Sequence, residues 1–538
     1  MAGAITLTPN QAPPGGHLKA SGEVDWLKVF LGFGGMVVGQ FMAILDIQIV
    51  TASLSQIQAG IGASADEIGW VQTIYLLAEV VIIPLTAYLT KMWGTRSVYV
   101  AASTLFIISS VATGLSTSFE MMIVTRALQG LAGGAMIPAV FATAMTVFPP
   151  ERRVTANVIV GLIVTLAPTV GPTLGGHLTE WLNWRWLFFV NVPPGLLVIF
   201  LVTRYGDFDK GDPSLSRGID WLGLSLMTVF LLSTQYLLEE GAESGWLKDD
   251  LMLGLLILSI FTGAAFFWRQ LTYWQPIVSL KPFVDRNFTI GMVMSFVAGI
   301  SLYGGTFILP LFLGRVLQYS AAEVGTTMLV SGLVMFLTAP VAGRFVRLMD
   351  PRIPMFVGFG LAAWGIGLGV KINANWGFAQ FAVLQVMRGI GVMIAMIASQ
   401  QLTVSTLPVS LMKDASGLVN LIRNVGGAVG LAMITTILGY QTRVHYADLA
   451  AGFTSANAAG QDMMSGMAAM MQARGIADGE GASRKMMSMF LQRDALIMAF
   501  ADAFLFLAAG CLLAGLIALL SKPTTSEIPP PSTGGTNA

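Results

Sequence analysis

The chain has 538 residues, of which 55% are hydrophobic and only 11% are charged, and its mean hydropathy is +0.73. A soluble domain carries about 25% charged residues, so this sequence is suited to a lipid environment. The 29 basic and 29 acidic residues give a net charge of zero, which argues against a nucleic-acid partner. A single cysteine, Cys511, excludes an intramolecular disulfide.

Hydrophobic stretches long enough to cross a membrane, about 20 residues each, recur along the chain. We place fourteen spans near 27–51, 68–90, 97–116, 121–147, 154–178, 186–203, 220–238, 251–268, 288–313, 324–347, 354–371, 377–404, 414–438 and 495–520. The first 24 residues lack the basic-then-apolar order of a cleavable signal peptide, so we expect the first span to be retained. The sequence thus predicts an all-α integral membrane protein.

The basic residues predict how the spans are oriented. Loops after even-numbered spans hold fourteen Lys and Arg residues, against four in the short loops after odd-numbered spans. Because basic residues accumulate in cytoplasmic loops, we expect both termini in the cytoplasm.

Six ionisable residues fall inside the predicted spans. A charge at the bilayer centre costs at least about 2.5 to 3.5 kcal/mol, so each needs a partner or a function. These residues are Asp46, Glu79, Arg126, Arg388, Arg423 and Asp502. Pairing that merely holds helices together is the alternative to a functional role.

Polar residues share single helix faces with several of these charges. Asp46 ends a stripe of small residues on the first span, and the other faces lie on spans 2, 4 and 13. They carry Gln72, Tyr75 and Glu79, then Arg126 and Gln129, then Asn420 and Arg423. We predict that the four faces line one central cavity, although the stripes of small residues can equally be packing seams.

Span 5 contains Pro168-Thr169-Val170-Gly171-Pro172-Thr173-Leu174-Gly175-Gly176. Two prolines and three glycines lower helix propensity strongly, while glycines four apart permit close helix contact in lipid. The segment therefore predicts a hinge or a tight seam.

A weak internal echo indicates duplication, since Arg126-Ala127-Leu128-Gln129-Gly130 in span 4 matches Gln385-Val386-Met387-Arg388-Gly389 in span 12 with Arg and Gln exchanged. Internal repeats are typical of secondary transporters. The sequence has no phosphate-binding loop, no His-Glu-x2-His and no Cys-x2-Cys, and its three histidines are scattered. We expect no ATP-driven step, metal site or cofactor.

These motifs resemble the fourteen-helix drug/proton antiporters of the major facilitator superfamily, the EmrB/QacA-like multidrug permeases. Leu45-Asp46-Ile47-Gln48-Ile49-Val50 is similar to the family's helix-1 signature, with Gln48 where the family has Thr. The Arg126 motif resembles the helix-4 motif associated with proton coupling, and Gly171-Pro172-Thr173-Leu174-Gly175-Gly176 resembles the antiporter motif of helix 5. Trp184 to Gly195 is also family-like.

Two positions depart from the family pattern. In the loop after span 2, Lys91 replaces the usual aspartate, while Gly94 is kept and Arg96 follows. We expect Asp350, in the corresponding loop of the second half, to supply the opposite charge to this gating loop. Glu79 stands where a neutral polar residue is expected, and we predict that it carries a proton or a cationic substrate.

The resemblance implies two six-helix bundles with two inserted helices. We divide the chain into a disordered tail (1–24), an N-terminal bundle (25–204), a linker with the inserted pair (205–285), a C-terminal bundle (286–520) and a disordered tail (521–538). It also implies export driven by proton entry, with Asp46, Glu79 and Arg126 in proton coupling. A second charge site of Arg388, Arg423 and Asp502 is expected, in which Asp502 pairs with one of the arginines or takes part in coupling. The substrate cavity is assigned to Gln48, Gln72, Tyr75, Gln129, Gln385, Asn420 and Asn424.

A long outer loop is predicted at 440–494, with methionines spaced as on one helix face, from Met463 to Met471. In EmrB-like permeases such a loop implies docking to a periplasmic membrane-fusion adaptor joined to an outer-membrane channel. A helix hairpin lying on the permease or membrane surface is the equal alternative.

The leading hypothesis is a proton-coupled exporter of hydrophobic or cationic compounds in the bacterial inner membrane, in contact with membrane lipid. A proton-coupled nutrient importer is the nearest rival. A lipid-modifying membrane enzyme is more distant, because the sequence lacks a His or Asp cluster for catalysis.

Overall fold

The computed structural model describes residues 25–51, 53–64, 67–242, 244–451, 458–474 and 478–522, and in these residues the chain is helical without a β-strand. The predicted tails lie outside the described residues, except for Ser521 and Lys522. Thirteen helices are long and apolar enough to cross a membrane, and the bent α6 makes a fourteenth when its two arms are taken as one span. The predicted all-α membrane fold is confirmed.

The first half of the chain and the inserted pair contain ten helices. They are α1 (Trp26–Thr51), α2 (Leu54–Ile61), α3 (Trp70–Trp93), α4 (Thr95–Gly114), α5 (Phe119–Val147), α6 (Pro150–Trp181), α7 (Trp186–Phe189), α8 (Val192–Tyr205), α9 (Trp221–Glu240) and α10 (Asp250–Thr272). The short α7 and α8 together form one span, and α9 and α10 are the inserted pair.

The second half contains seven helices. They are α11 (Arg286–Arg315), α12 (Ala321–Leu348), α13 (Arg352–Leu368), α14 (Phe378–Ser405), α15 (Met412–Ala451), α16 (Ala458–Ala473) and α17 (Gly479–Ala518). We call the end of the molecule where α1 begins and α17 ends the terminus face, and the other end the opposite face.

Side-chain caps fix where several helices begin. The Asp249 and Asp285 carboxylates accept the backbone N–H groups of Met252 and Phe288 at the starts of α10 and α11. Ser320 and Glu323 form a reciprocal capping box at the start of α12. Such caps satisfy the N–H groups that the first helical turn leaves unpaired, so short loops suffice between long apolar helices.

The halves meet along two lines of contact, where α15 packs on α3 and α5 and where α6 packs on α12 and α14. Glycines bring α6 and α12 close together, because a Cβ at Gly325 would lie 2.7 Å from Thr173 Oγ1 and one at Gly343 would clash with Val158. The bends of α6 follow from its sequence, since its arms, 152–168 and 173–181, meet at 49° across Gly171 and Pro172.

The inserted α9 packs on both α3 and α15, at the junction of the halves. Its Tyr236 ring lies 5.4 Å from the Trp70 ring of α3. After α9, the Trp246 indole N–H donates to Thr436 Oγ1 of α15 at 2.9 Å. The inserted pair therefore contacts both halves of the helical bundle.

The predicted loop 440–494 is mostly helical where the structure describes it. Helix α15 continues to Ala451, α16 covers Ala458–Ala473, and α17 already begins at Gly479. Hydropathy does not predict these helical parts, because residues 440–494 are too polar to cross a membrane. The same residues contain no proline that would end a helix. The structure therefore has a helical hairpin, α16 with the start of α17, on the opposite face.

Candidate functional site

Asp46 and Arg126 form a buried ion pair between α1 and α5. Arg126 Nη1 donates to Asp46 Oδ2 at 2.5 Å, and both side chains are 0% exposed. The Arg126 Nε also donates to the Val71 carbonyl of α3 at 3.1 Å. The pair thus ties three helices together, near the end of the bundle opposite to the termini.

Amide and hydroxyl groups complete the surroundings of the Asp46 carboxylate. Gln129 Nε2 and Asn191 Nδ2 donate to Asp46 Oδ1 at 2.9 and 2.7 Å. Both amides also donate to Ser110 Oγ at 3.1 Å. A buried charge is tolerated when it is both paired and hydrogen-bonded, and Asp46 meets both conditions.

Tyr75 covers the Arg126 guanidinium, whose central carbon lies 4.4 Å from the ring centroid. Glycines make this approach possible, because a Cβ at Gly130 would clash with the Tyr75 carbonyl and one at Gly133 with the Tyr75 hydroxyl. Cation–π contact is worth about 2 kcal/mol when desolvated. The small residues of α5 are therefore a packing seam that also positions the aromatic ring over the charge.

Glu79 lies on α3 where that helix meets the second half. Asn424 Nδ2 of α15 donates to Glu79 Oε1 at 3.3 Å, and the Tyr303 hydroxyl of α11 donates to Asn424 Oδ1 at 3.4 Å. Glu79 is 4% exposed. We call this contact between the two halves, where α3 meets α15, the seam. Within the described residues Glu79 forms no ion pair, so its carboxylate is held at the seam by neutral groups alone.

Arg423 lies one position before Asn424 on α15. It donates to Asn420 Oδ1, and its guanidinium lies 4.9 Å from the Phe141 ring centroid of α5. Asn420 in turn donates to the Ser416 carbonyl at 2.9 Å. No acidic partner for Arg423 is found in the described part of the chain, and its Nε is buried without a hydrogen bond.

The motif of α14 echoes that of α5 without its carboxylate. Arg388 Nη2 donates to Ser331 Oγ at 2.8 Å, and Gln385 Nε2 donates to the Thr327 carbonyl at 2.8 Å. Arg388 lies against Gly305 of α11, whereas Arg126 in the first half meets the carboxylate of Asp46 on α1. The two halves are therefore chemically asymmetric, with one ion-paired arginine and one bound to neutral groups.

The predicted pairing of Asp502 with Arg423 or Arg388 is wrong. Asp502 Oδ2 instead lies 2.7 Å from His445 Nε2, which the unexpected extension of α15 brings alongside α17. The predicted span ends at residue 438, whereas α15 continues to Ala451 and includes His445.

The α6 motif packs directly on the end of α1. A Cβ at Gly171 would lie 2.6 Å from Gln48 Cβ, and one at Gly175 would clash with the Ile49 carbonyl. Gly176 has no neighbour within 4 Å of such a Cβ, and Pro168 lies at the bend before the motif. The side chain of Pro172 lies outside what the structure describes.

Ion pairs close the two halves on the terminus face. Lys91 Nζ lies 2.6 Å from both carboxylate oxygens of Asp414 at the start of α15. Next to it, Lys413 pairs with Asp209, whose Oδ1 also accepts the Thr95 backbone N–H at 2.7 Å. Gly94 makes the intervening turn with φ 81°, a conformation that favours glycine.

The prediction that Asp350 supplies the opposite charge to Lys91 is therefore wrong. Asp350 pairs with Arg352 at 3.3 Å within its own loop, and Arg96 is exposed and forms no ion pair in the described residues. Asp414 is the first residue of the predicted span 414–438, but the sequence does not indicate that the start of α15 presents this residue to α3.

The structure separates the predicted cavity residues into two polar sites. Tyr75 and Gln129 are buried around the Asp46 pair inside the first half, whereas Asn424 donates to Glu79 at the seam and Asn420, one turn earlier on α15, accepts from Arg423. Gln385 is buried inside the second half, and Gln48 and Gln72 are half-buried on α1 and α3. Among the described residues no group of three or more His, Cys, Asp or Glu could hold a metal ion.

Sequence reasoning missed three polar residues of these sites, Ser110, Asn191 and Tyr303. Asn191 lies in the Trp184 to Gly195 stretch, and its amide interrupts an apolar run, which is a usable signal of a buried polar contact. Ser110 and Tyr303 had no such signal, because single hydroxyl groups are common in membrane helices, where they bond to the preceding turn.

Comparisons with known proteins agree with this architecture. The family model described as Major Facilitator Superfamily matches residues 36–431. The chain is 36% identical over 441 residues to "Colistin resistance protein EmrB" of Acinetobacter baumannii, covering 82% of this chain and 86% of that protein.

Two further relatives carry the name "Multidrug export protein EmrB". That of Haemophilus influenzae is 28% identical over 413 residues, covering 76% of this chain and 80% of the relative. That of Escherichia coli K12 is 28% identical over 428 residues, covering 79% and 83%. The chain therefore belongs to the Major Facilitator Superfamily, within which it is an EmrB-like permease.

Proposed function

We propose that the protein is a proton-coupled antiporter that exports hydrophobic or cationic toxic compounds across the bacterial cytoplasmic membrane, with both termini in the cytoplasm. The observation that carries this proposal is the contrast between two buried carboxylates. Asp46 is fully paired with Arg126, whereas Glu79, at the seam between the halves, has only neutral partners.

Glu79 is the group that exchanges proton and substrate in this proposal. An ionised carboxylate buried without a cation is costly, so it is stabilised by a proton or by a cationic compound, but not by both at once. Because Glu79 bonds to Asn424 across the seam, neutralising it in either way also changes the contact between the halves. Mutual exclusion at one carboxylate is the condition that antiport requires.

The Asp46 and Arg126 pair has a second role, which is to hold α1, α3 and α5 in one arrangement. Protonation of Asp46 would leave Arg126 as an uncompensated buried cation, which is strongly unfavourable. Rearrangement of these helices and proton uptake at Asp46 are therefore linked. The proton gradient supplies the energy, and the protein needs neither a cofactor nor a chemical conversion of its substrate.

The names of the relatives support export rather than uptake, since the three proteins compared above are named for drug export or resistance. The compact packing of Gly171 and Gly175 on α1, in the motif that resembles the exporters' motif, is consistent with that direction.

We also propose that the α16 and α17 hairpin docks to a periplasmic membrane-fusion adaptor, itself joined to an outer-membrane channel. Met463 and Met470 of α16 and Met489 of α17 are more than half exposed. Flexible methionine side chains suit adaptable protein contacts. A hydrogen bond joins the two arms of the hairpin, since Ser483 Oγ of α17 donates to the Met464 carbonyl of α16 at 2.9 Å.

Transport in proteoliposomes with an acidic lumen tests the antiport. In proteoliposomes that contain the full chain, lipophilic cationic dye should enter the lumen while protons leave it. We expect Glu79→Gln and Asp46→Asn each to abolish the coupling of dye movement to proton movement. Asp220→Asn is the matched control, because Asp220 is also a buried, arginine-paired carboxylate but lies on the inserted pair, beside Arg269.

The outcomes separate the alternatives. Dye uptake without proton release, or dye carried in the same direction as protons, would refute antiport. If Glu79→Gln retains full coupling while Asp46→Asn loses it, the exchange site is Asp46 and the role given to Glu79 is wrong.

A further inference from the structure

A basic cavity lies on the outer surface of the first half, at the terminus face. It has a volume of about 700 Å³ and is lined by residues of α1, α4, α8 and the loop that follows α8. Its lining residues are Lys28, Arg96, Leu196, Ile199, Phe200, Thr203, Arg204 and Asp207. Arg96 follows the gating loop in sequence, and none of the buried charges assigned to proton coupling lines this cavity.

Cations exceed anions around this cavity. Lys28 pairs with Asp25 at 3.2 Å, and Asp207 is the one acidic residue in the lining. Arg96 and Arg204 are exposed and form no ion pair within the described residues. Two arginines are thus available for an anionic ligand.

The other wall of the cavity is apolar and faces away from the protein. Leu196 and Phe200 of α8 are 58% and 62% exposed. They belong to a membrane-spanning segment, so their exposed surfaces lie against acyl chains. Arg204 is in the last turn of the same helix, where an apolar span meets the headgroup region.

We propose that this cavity binds an anionic phospholipid, with the phosphate at Arg96 and Arg204 and an acyl chain along Leu196 and Phe200. Basic pockets between transmembrane helices are suited to anionic headgroups, and arginine binds phosphate through two parallel hydrogen bonds. The apolar wall favours a lipid as the ligand, because a free phosphate ion has no apolar part that could contact Leu196 and Phe200.

Binding is tested with the purified, delipidated full chain by native mass spectrometry, titrating phosphatidylglycerol and phosphatidylcholine separately. The wild type should retain phosphatidylglycerol preferentially. Because each cation near the headgroups contributes a factor of about five, the double variant Arg96→Gln with Arg204→Gln should bind phosphatidylglycerol about 25-fold more weakly. The variant with lysine at both positions should retain most of the binding.

The matched control is Arg217→Gln with Arg344→Gln, which removes the same charge from exposed residues of the terminus face elsewhere. An equal loss in this control would show nonspecific charge attraction and refute the site. Equal binding of phosphatidylcholine would refute the role of the anion. Displacement of phosphatidylglycerol by inorganic phosphate at the same concentration would refute the role of the acyl chain in binding. Unchanged melting temperatures confirm that the variants are folded.

Discussion

Lys91 of α3 and Asp414 of α15 face each other across the seam between the halves, with the ammonium 2.6 Å from both carboxylate oxygens. Lys91 is 31% exposed and Asp414 is 5% exposed, so we expect the pair to contribute about 1 kcal/mol to closure of the terminus face. Lys91→Gln should therefore increase the population of the open form about fivefold.

Alkylation of a cysteine introduced at Ser416, which is buried beside the seam, measures this opening, since the native Cys511 is buried. Arg217→Gln is the control for loss of a positive charge on the same face. The exchange of charges, Lys91→Asp with Asp414→Lys, should restore slow labelling. Labelling that stays fast in the exchanged variant would show that the pair does not lock the halves.

Removal of Arg126 should be more damaging than removal of the whole ion pair. Arg126→Gln leaves the Asp46 carboxylate buried without its cation, at a cost of about 3 to 5 kcal/mol. Arg126→Gln with Asp46→Asn removes both charges and should recover most of the melting temperature in detergent without recovering transport. Equal melting temperatures for the single and double variants would contradict the importance of the pair for stability.

Much of this architecture was predictable because membrane spans depend on local hydropathy alone. The ends of α15 and α17 were not, since they extend into polar sequence that hydropathy excludes but that still forms helix. The same error concealed one ion pair, because His445, the partner of Asp502, lies on a helical stretch that the prediction assigned to a loop. Asp414 lies at the first residue of a predicted span, but hydropathy does not show that it faces Lys91.

The polar sites were predicted in part. Residues on one helix face were identifiable by their spacing, so Arg126 and Gln129 were placed together with good reason. Which faces meet is a tertiary property that spacing does not determine. The predicted face of α3 is therefore divided between the two sites, since Tyr75 contacts Arg126 whereas Glu79 accepts from Asn424 at the seam.

We predict that Asp502 has a structural role and no part in proton coupling. It bonds to His445 of α15, and within the described residues no hydrogen bond or ion pair links it to Glu79. Asp502→Asn should retain coupled transport in proteoliposomes, and the loss of a partly exposed pair should lower stability by about 1 kcal/mol or less. His445→Gln should lower the melting temperature equally, and adding it to Asp502→Asn should have little further effect. Uncoupled transport in Asp502→Asn would overturn this assignment.

Neighbouring glycines of the α6 motif should respond oppositely to alanine. Gly175→Ala places a methyl group against the Ile49 carbonyl, and such overpacking costs about 1 to 3 kcal/mol. Gly176→Ala meets no atom within 4 Å and should be neutral or stabilising by about 0.5 to 1 kcal/mol, because alanine favours helix. Melting temperature and transport rate measure both effects. Equal responses would show that the close packing on α1 is unimportant.

The hairpin should be needed for export from cells but dispensable for transport by the isolated permease. Met463→Asp with Met470→Asp places charges on the exposed side of α16, where they disrupt an apolar contact with an adaptor but cost the isolated fold little. We expect a loss of drug resistance of about tenfold or more in cells that contain the adaptor and channel. Dye and proton exchange in proteoliposomes should remain at the wild-type rate.

The matched control is Ser465→Asp with Ala469→Asp, which adds the same charge on exposed positions of α16 outside the methionine set. If these substitutions reduce resistance equally, added charge rather than loss of methionine contact is responsible. If the methionine variant also fails in proteoliposomes, the hairpin supports the fold of the permease itself. A hairpin lying on the membrane surface would instead lose its membrane contact in both settings, so only failure confined to cells indicates docking to a partner.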